Sequence, residues 1–198
     1  MRILIACERS GIIRQAMRDA GHEAYSNDLV PADDGSPYHL QCDCRDVVND
    51  GWDMLIAHPV CKRLANSGAR WLHERDLWAD LEKAVEFYLV FRNAKVPKIA
   101  IENPVMRCHA TERLGRVKRH IVQPWWFGDP FFKATGFELK GLPALTPTNK
   151  LVPPAKGTAE HKRWSYVHLL PPSPDRERLR SQSFPGMARA MARQWGSL

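Results

Sequence analysis

Short apolar runs alternate with helix-period stretches through the first half of the chain, and each run ends in residues that can do chemistry. Arg2-Ile3-Leu4-Ile5-Ala6 reads as a buried strand, being short and almost uniformly apolar. After it, Ile12, Ile13, Ala16, Met17 and Ala20 recur at helical spacing until Gly21 stops the pattern. Ala24-Tyr25-Ser26 is a second short strand, Asp53-Met54-Leu55-Ile56-Ala57 a third and Lys98-Ile99-Ala100-Ile101 a fourth. Between the last two, residues 72–94 predict one long helix with Leu77, Leu81, Val85, Tyr88 and Leu89 on a common face. Strands separated by helices pair in parallel, with the crossovers covering both faces of the sheet. The expected fold class is therefore α/β: a Rossmann-like, mostly parallel sheet with helices on both faces.

That architecture says where a ligand belongs, because doubly wound sheets bind ligands beyond the carboxyl ends of their strands. Cys7, Glu8, Ser10 and Gly11 follow the first strand, with Ile12 opening the helix. Asp28 follows the second, His58, Pro59 and Cys61 the third, and Glu102, Asn103 and Pro104 the fourth. A glycine turn at a helix start and a carboxylate ending the next strand suit a ribose-bearing ligand. A tight turn beside a surface Asp explains the same residues equally well.

Beyond about residue 120 the texture changes. Prolines at 124, 130, 143, 147, 153, 154, 171, 172, 174 and 185 leave little room for long regular elements. Gly136-Phe137-Glu138-Leu139 suits a late strand, residues 146–182 read as a basic irregular segment, and 185–196 as a closing helix. Lys and Arg number 29 against 22 Asp and Glu, for a formal charge of +7, which favours a polyanionic partner, nucleic acid first. Plain solubility is the alternative reading of that charge. Lys118-Arg119-His120 and His161-Lys162-Arg163 suit phosphate contacts or a solvated basic face, and Trp125-Trp126 suits base stacking or core packing.

The five cysteines are an odd number, read as free thiols, and Cys42, Cys44 and the distant Cys108-His109 do not make a zinc spacing, so no metal is expected. No apolar run approaches the roughly 20 residues that cross a bilayer. The chain opens on a strand rather than a secretory signal, so a cytoplasmic protein is expected.

At this point a resemblance becomes specific. Ser10-Gly11-Ile12-Ile13-Arg14, Ala20-Gly21-His22-Glu23 and Ser26-Asn27-Asp28, in that order, resemble the opening of DNA cytosine-5 methyltransferases. Cys42-Asp43-Cys44 resembles the segment whose Asp meets the adenine of the cofactor. Trp52 to Ala57, running into Pro59-Val60-Cys61 and on to Asn66-Ser67-Gly68, resembles the strand and loop of the catalytic Pro-Cys. Ile101-Glu102-Asn103-Pro104 resembles the family's Glu-Asn-Val segment, and Lys133 stands where the family has a Gln-x-Arg-x-Arg run. The match covers most of residues 1–105.

The resemblance implies one methyltransferase-like domain over 1–198, with 1–120 as cofactor and catalytic core, S-adenosyl-L-methionine as cofactor and DNA as partner. It implies Cys61, Glu102, Asn103 and Lys133 as catalytic residues. It assigns Cys7, Glu8, Ser10, Gly11, Ile12, Asp28, Asp43, Cys44, His58 and Pro59 to the cofactor. The chemistry fits those residue types: a thiolate adding to C6 of cytosine makes C5 nucleophilic, and a carboxyl at the N3 edge supplies a proton. A raised pKa is expected for Glu102, and a lowered one for Cys61 beside Lys62, Arg63 and His58.

Two departures stand out. Val60 precedes the cysteine where the family has proline, and the family's long target-recognition region is reduced to residues 146–182. In this the chain resembles the small methyltransferase-like proteins of phage genomes. The residues leave open a nucleotide or RNA pyrimidine as substrate, and an inactive nucleic-acid-binding relic of the fold.

Overall fold

Seven strands form one sheet in the order β3-β2-β1-β4-β5-β7-β6. They are β1 (Arg2–Ala6), β2 (Glu23–Asp28), β3 (His39–Gln41), β4 (Met54–Ala57), β5 (Lys98–Asn103), β6 (Arg119–Val122) and β7 (Thr135–Lys140). This computed structural model describes residues 1–65, 70–103, 106–115 and 118–198, without the side chains of Arg70 and Asn103. The expected roles of Asn66-Ser67-Gly68 and Pro104 fall outside the described residues, as does the side-chain role of Asn103. Strands β1 to β5 are parallel, and β7 runs antiparallel between β5 and β6. The expected α/β fold is what the chain adopts.

Both faces of the central strands are buried, which is why their sequences are nearly continuous apolar runs. On one face Ile3, Ile5, Met54, Ile56 and Phe137 pack with Ile13 and Met17 of α1 (Ile12–Asp19) and Met187, Met191 and Trp195 of α9 (Pro185–Trp195). On the other, Leu4, Leu55, Ala57, Ile99 and Ile101 pack with Cys44 of α2 (Cys44–Val47), Leu72 of α3 (Arg70–Glu74), Leu81, Val85, Tyr88 and Phe91 of α4 (Trp78–Arg92), and Ala110 and Leu114 of α5 (Cys108–Leu114). Burial of these side chains, each contributing roughly 1.5–3 kcal/mol, is the main force closing the sheet.

Three expectations need correction. The single helix over 72–94 is two, α3 and α4, because the chain turns at Asp76 with a left-handed φ of 47°. The first strand pattern missed β3, whose three residues His39-Leu40-Gln41 carry no period, and β6, where Arg119 and His120 disguise an edge strand. The segment 146–182 is not wholly irregular: it holds α6 (Ala159–Trp164), α7 (Tyr166–Leu169) and α8 (Arg176–Ser181). Trp164 is buried and packs against Phe132 with tilted rings whose centroids are 5.3 Å apart, docking α6 against the loop before β7. Among the described residues no helix is long and apolar enough to cross a membrane.

Candidate active site

The sheet register lines up the chemistry. Ala6 pairs with Asn27 on one side and Ala57 on the other, and Ala57 pairs with Ile101. The next residues along these strands, Asp28, Cys7, His58 and Glu102, therefore emerge side by side at one end of the sheet. Lys133 reaches the same end from the other direction, since Phe137 of antiparallel β7 pairs with Glu102.

On the β1 side, the turn is built from within. Glu8 is buried, and its carboxylate accepts from the backbone N–H of Ile13 at 2.7 Å and of Arg14 at 3.2 Å, capping α1. Ser10 donates to the same carboxylate at 3.4 Å. Both were expected to meet a ligand, but the turn itself uses their polar atoms. Desolvation raises the Glu8 pKa, although these amides and the His58 charge oppose it. Gly11 adopts φ 69°, and a Cβ there would lie 2.4 Å from the Arg14 guanidinium. Arg14 is fully buried, donates to Ser26 Oγ at 2.8 Å and pairs with Asp34.

Cys7 turns the chain with φ 57° and sits by Cys44, Asp28 and Asp43. The Cys44 contact, burial and these carboxylates hold its thiol well above the ordinary range. Asp28 is half-buried, and one carboxylate oxygen accepts from Val30 N–H at 3.3 Å. Asp43 caps α2 through Arg45 N–H at 3.0 Å, which lowers its pKa. The residues expected to share one ligand thus crowd together at the ends of β1, β2 and β3.

On the β4 side, Pro59 is buried and Val60 is 67% exposed, leading into half-buried Cys61. His58 Nδ1 lies 3.5 Å from Glu102 Oε2. Burial pushes the Glu102 carboxyl up, but the His58 hydrogen bond, the Lys133 charge and the His58 charge together bring it below its ordinary value. The expected raised carboxyl is therefore reversed. Cys61 is reversed as well: burial and the Glu102 charge raise its thiol, against lowering by Lys133 and Arg180. The cations expected beside it are engaged elsewhere, Lys62 with Glu177 at 2.6 Å and Arg63 with Asp80 at 3.0 Å.

Sequence reasoning counted Arg180 only among the basic residues of the segment 146–182 suited to nucleic-acid contact, and gave it no place near Cys61, whose thiol its charge lowers. Lys133 Nζ donates to the Arg180 carbonyl at 2.8 Å, so α8 is held against the end of the sheet where Cys61 lies. Arg178 lies 3.8 Å from Asp33, tying the same helix to the loop after β2. Trp126 packs into the core and its partner Trp125 meets it edge-on at 6.0 Å, which favours packing over base stacking for this pair.

No family model and no curated protein matches the chain. Among solved structures it is similar to the Entamoeba histolytica methyltransferase EhMeth, with a TM-score of 0.52 and 13% identity over 76% of this chain and 57% of that one. It is also similar to an Escherichia coli protein described as a candidate DNA modification methyltransferase encoded within a prophage, with a TM-score of 0.47 and 14% identity, covering 70% of this chain and 46% of that one. The chain spans about half the length of the solved structures it matches. With its strand order and the first of these likenesses, the chain has the methyltransferase fold.

Proposed function

We propose that this chain is an S-adenosylmethionine-dependent methyltransferase that alkylates C5 of cytosine in DNA through a covalent adduct at Cys61. The observation that carries the reading is the convergence of Cys61, Glu102, His58 and Lys133 at the carboxyl ends of β4 and β5.

The strand ends next to them suit the cofactor. Asp28 keeps one carboxylate oxygen without a partner among the described residues, at the place where a ribose would be held. The left-handed turn at Cys7 brings backbone close to it, and Asp43 stands beyond at the mouth of β3. Asp28 and Asp43 would hold ribose and adenine, with the turn at Cys7 to Gly11 along the remainder. When bound, S-adenosylmethionine supplies an electrophilic methyl group.

The two reversed pKa directions make chemical sense together. At neutral pH the pair rests as a neutral Cys61 thiol and an ionised Glu102 carboxylate, so one proton belongs to the pair. Moving that proton to Glu102 leaves a thiolate to add to C6, and the same proton then passes from Glu102 to N3 as the ring gains electrons. Once C5 carries the methyl group, its own proton leaves to solvent and the thiolate is expelled, while the N3 proton returns through Glu102 to the Cys61 sulfur, which restores both the aromatic ring and the resting enzyme. His58 orients the carboxylate throughout. Lys133 and Arg180 favour the thiolate, and their charge rises in effect once a base excludes water. A base in duplex DNA must leave the stack to reach this end of the sheet. DNA as the polymer is supported by the net charge and by exposed Lys162 and Arg163 on α6.

Nucleoside mass spectrometry of cytosine-containing DNA incubated with the protein and S-adenosylmethionine tests the reading. 5-Methylcytosine is the expected product. A methyl group on an exocyclic amine instead, or no transfer at all, would overturn it.

A further inference from the structure

Away from the strand ends, α5 gathers three metal-ligating side chains of different chemistry on one turn. One ligand atom each from Cys108, His109 and Glu112 lie within 4.8 Å of one another. His109 Nδ1 is 3.6 Å from Glu112 Oε2. Helical spacing explains the convergence, since Glu112 stands four residues after Cys108 and three after His109. The sequence alone set Cys108-His109 aside because, with the distant Cys42 and Cys44, they make no zinc spacing.

We propose that Cys108, His109 and Glu112 form a binding site for a borderline-soft divalent transition metal, Zn²⁺ foremost. A thiolate, an imidazole and a carboxylate are the donors this class of ion selects, whereas Mg²⁺ and Ca²⁺ want oxygen throughout. Cys108 and Glu112 are exposed, so small rotations about their own bonds bring them to the ~2.0–2.3 Å lengths of zinc ligation. His109 is the fixed member of the set. Trp78 meets its ring edge-on at 5.2 Å and His73 at 5.8 Å, which holds the imidazole in place. Arg113, the cation nearest in sequence to Glu112, is occupied by Glu82 on α4. The fourth position faces solvent and belongs to water.

The location gives the site a consequence. Just before α5, Arg107 N–H donates to the Leu64 carbonyl at 2.9 Å and its guanidinium to the Ala65 carbonyl at 3.0 Å. The first turn of α5 is thereby joined to the loop that carries Cys61. A metal on that turn stiffens the join without touching a reacting atom.

Titration of the full chain with Co²⁺ alone, followed by absorption, tests the site. One equivalent should produce a thiolate-to-cobalt charge-transfer band together with the intense visible bands of a tetrahedral ion. Cys108→Ser should abolish the charge-transfer band, His109→Ala should weaken binding at least roughly tenfold, and Cys61→Ser should leave both intact. Zn²⁺ should displace Co²⁺ and raise the thermal midpoint of the wild type but not of Cys108→Ser. Absence of the bands in the wild type would overturn the proposal, and so would their survival in Cys108→Ser, which would assign the thiolate to another cysteine.

Discussion

His58 Nδ1 and Glu102 Oε2 stand 3.5 Å apart and bridge the ends of two neighbouring parallel strands. The pairing, with the Lys133 charge, keeps the Glu102 carboxyl below its ordinary value, where burial alone would have raised it. His58→Ala should remove the hydrogen bond and part of the positive field, so that the Glu102 pKa rises. Since the carboxylate form accepts the thiol proton, the acid limb of the pH–rate profile should move to higher pH, with KM for DNA little changed. An unmoved limb contradicts this role for His58. The linkage has the same sign. A carboxyl held low by the fold contributes stability above its unfolded value of about 4.3 and loses it as pH falls through the lower folded value.

Cys61 should alkylate slowly at neutral pH. Its thiol is raised by burial and by Glu102, so the rate of iodoacetamide modification at this residue should still be climbing at pH 9. Glu102→Gln removes a negative neighbour and should shift the profile to lower pH, while Lys133→Ala should shift it higher. Peptide mass spectrometry separates Cys61 from exposed Cys108, whose modification serves as the internal reference.

Much of this site was legible in the sequence, and the reason is the sheet. Parallel strands buried on both faces must be short apolar runs, so Ile3-Leu4-Ile5 and Met54-Leu55-Ile56 announce themselves, and the residues just beyond them must share one end. Glu8, Asp28, Pro59 and Glu102 were placed at that end of the sheet on this ground. The signs of two pKa shifts were not legible, because they depend on which cations face which groups. Lys62 and Arg63 adjoin Cys61 in sequence but pair with Glu177 and Asp80, while Lys133 and Arg180 act on it from distant segments. Glu8, expected at the cofactor, is also a buried helix cap, a role that only the amides of Ile13 and Arg14 reveal.

Gly11→Ala should destabilise the fold by about 1–3 kcal/mol. The residue adopts φ 69°, and its new methyl group would push on the buried Arg14 guanidinium that holds Ser26 and Asp34. Urea unfolding should show a lower midpoint with an unchanged slope. A change within about 0.5 kcal/mol would mean that Arg14 gives way without loss.

Asp28→Ala should weaken binding of S-adenosylhomocysteine more than tenfold. Hydrogen bonds to a charged group contribute about 1.5–3 kcal/mol each, and the free oxygen of Asp28 is positioned to accept one. Calorimetry on both proteins reads the difference directly. Equal affinity would place the cofactor elsewhere.

A bond between Cys61 and a pyrimidine ring can be caught with a mechanism-based trap. DNA carrying 5-fluorocytosine has no removable proton at C5, so after methyl transfer the thiolate cannot be expelled. The wild type, given that DNA and S-adenosylmethionine, should form a complex that survives denaturation and maps to the peptide containing Cys61. Cys61→Ser should form none, and Glu102→Gln should slow its appearance by roughly 10²–10⁴, the range for loss of a general acid. Methylation of cytosine by the wild type with no trapped complex, or with a Cys61→Ser variant at full rate, would contradict the covalent mechanism.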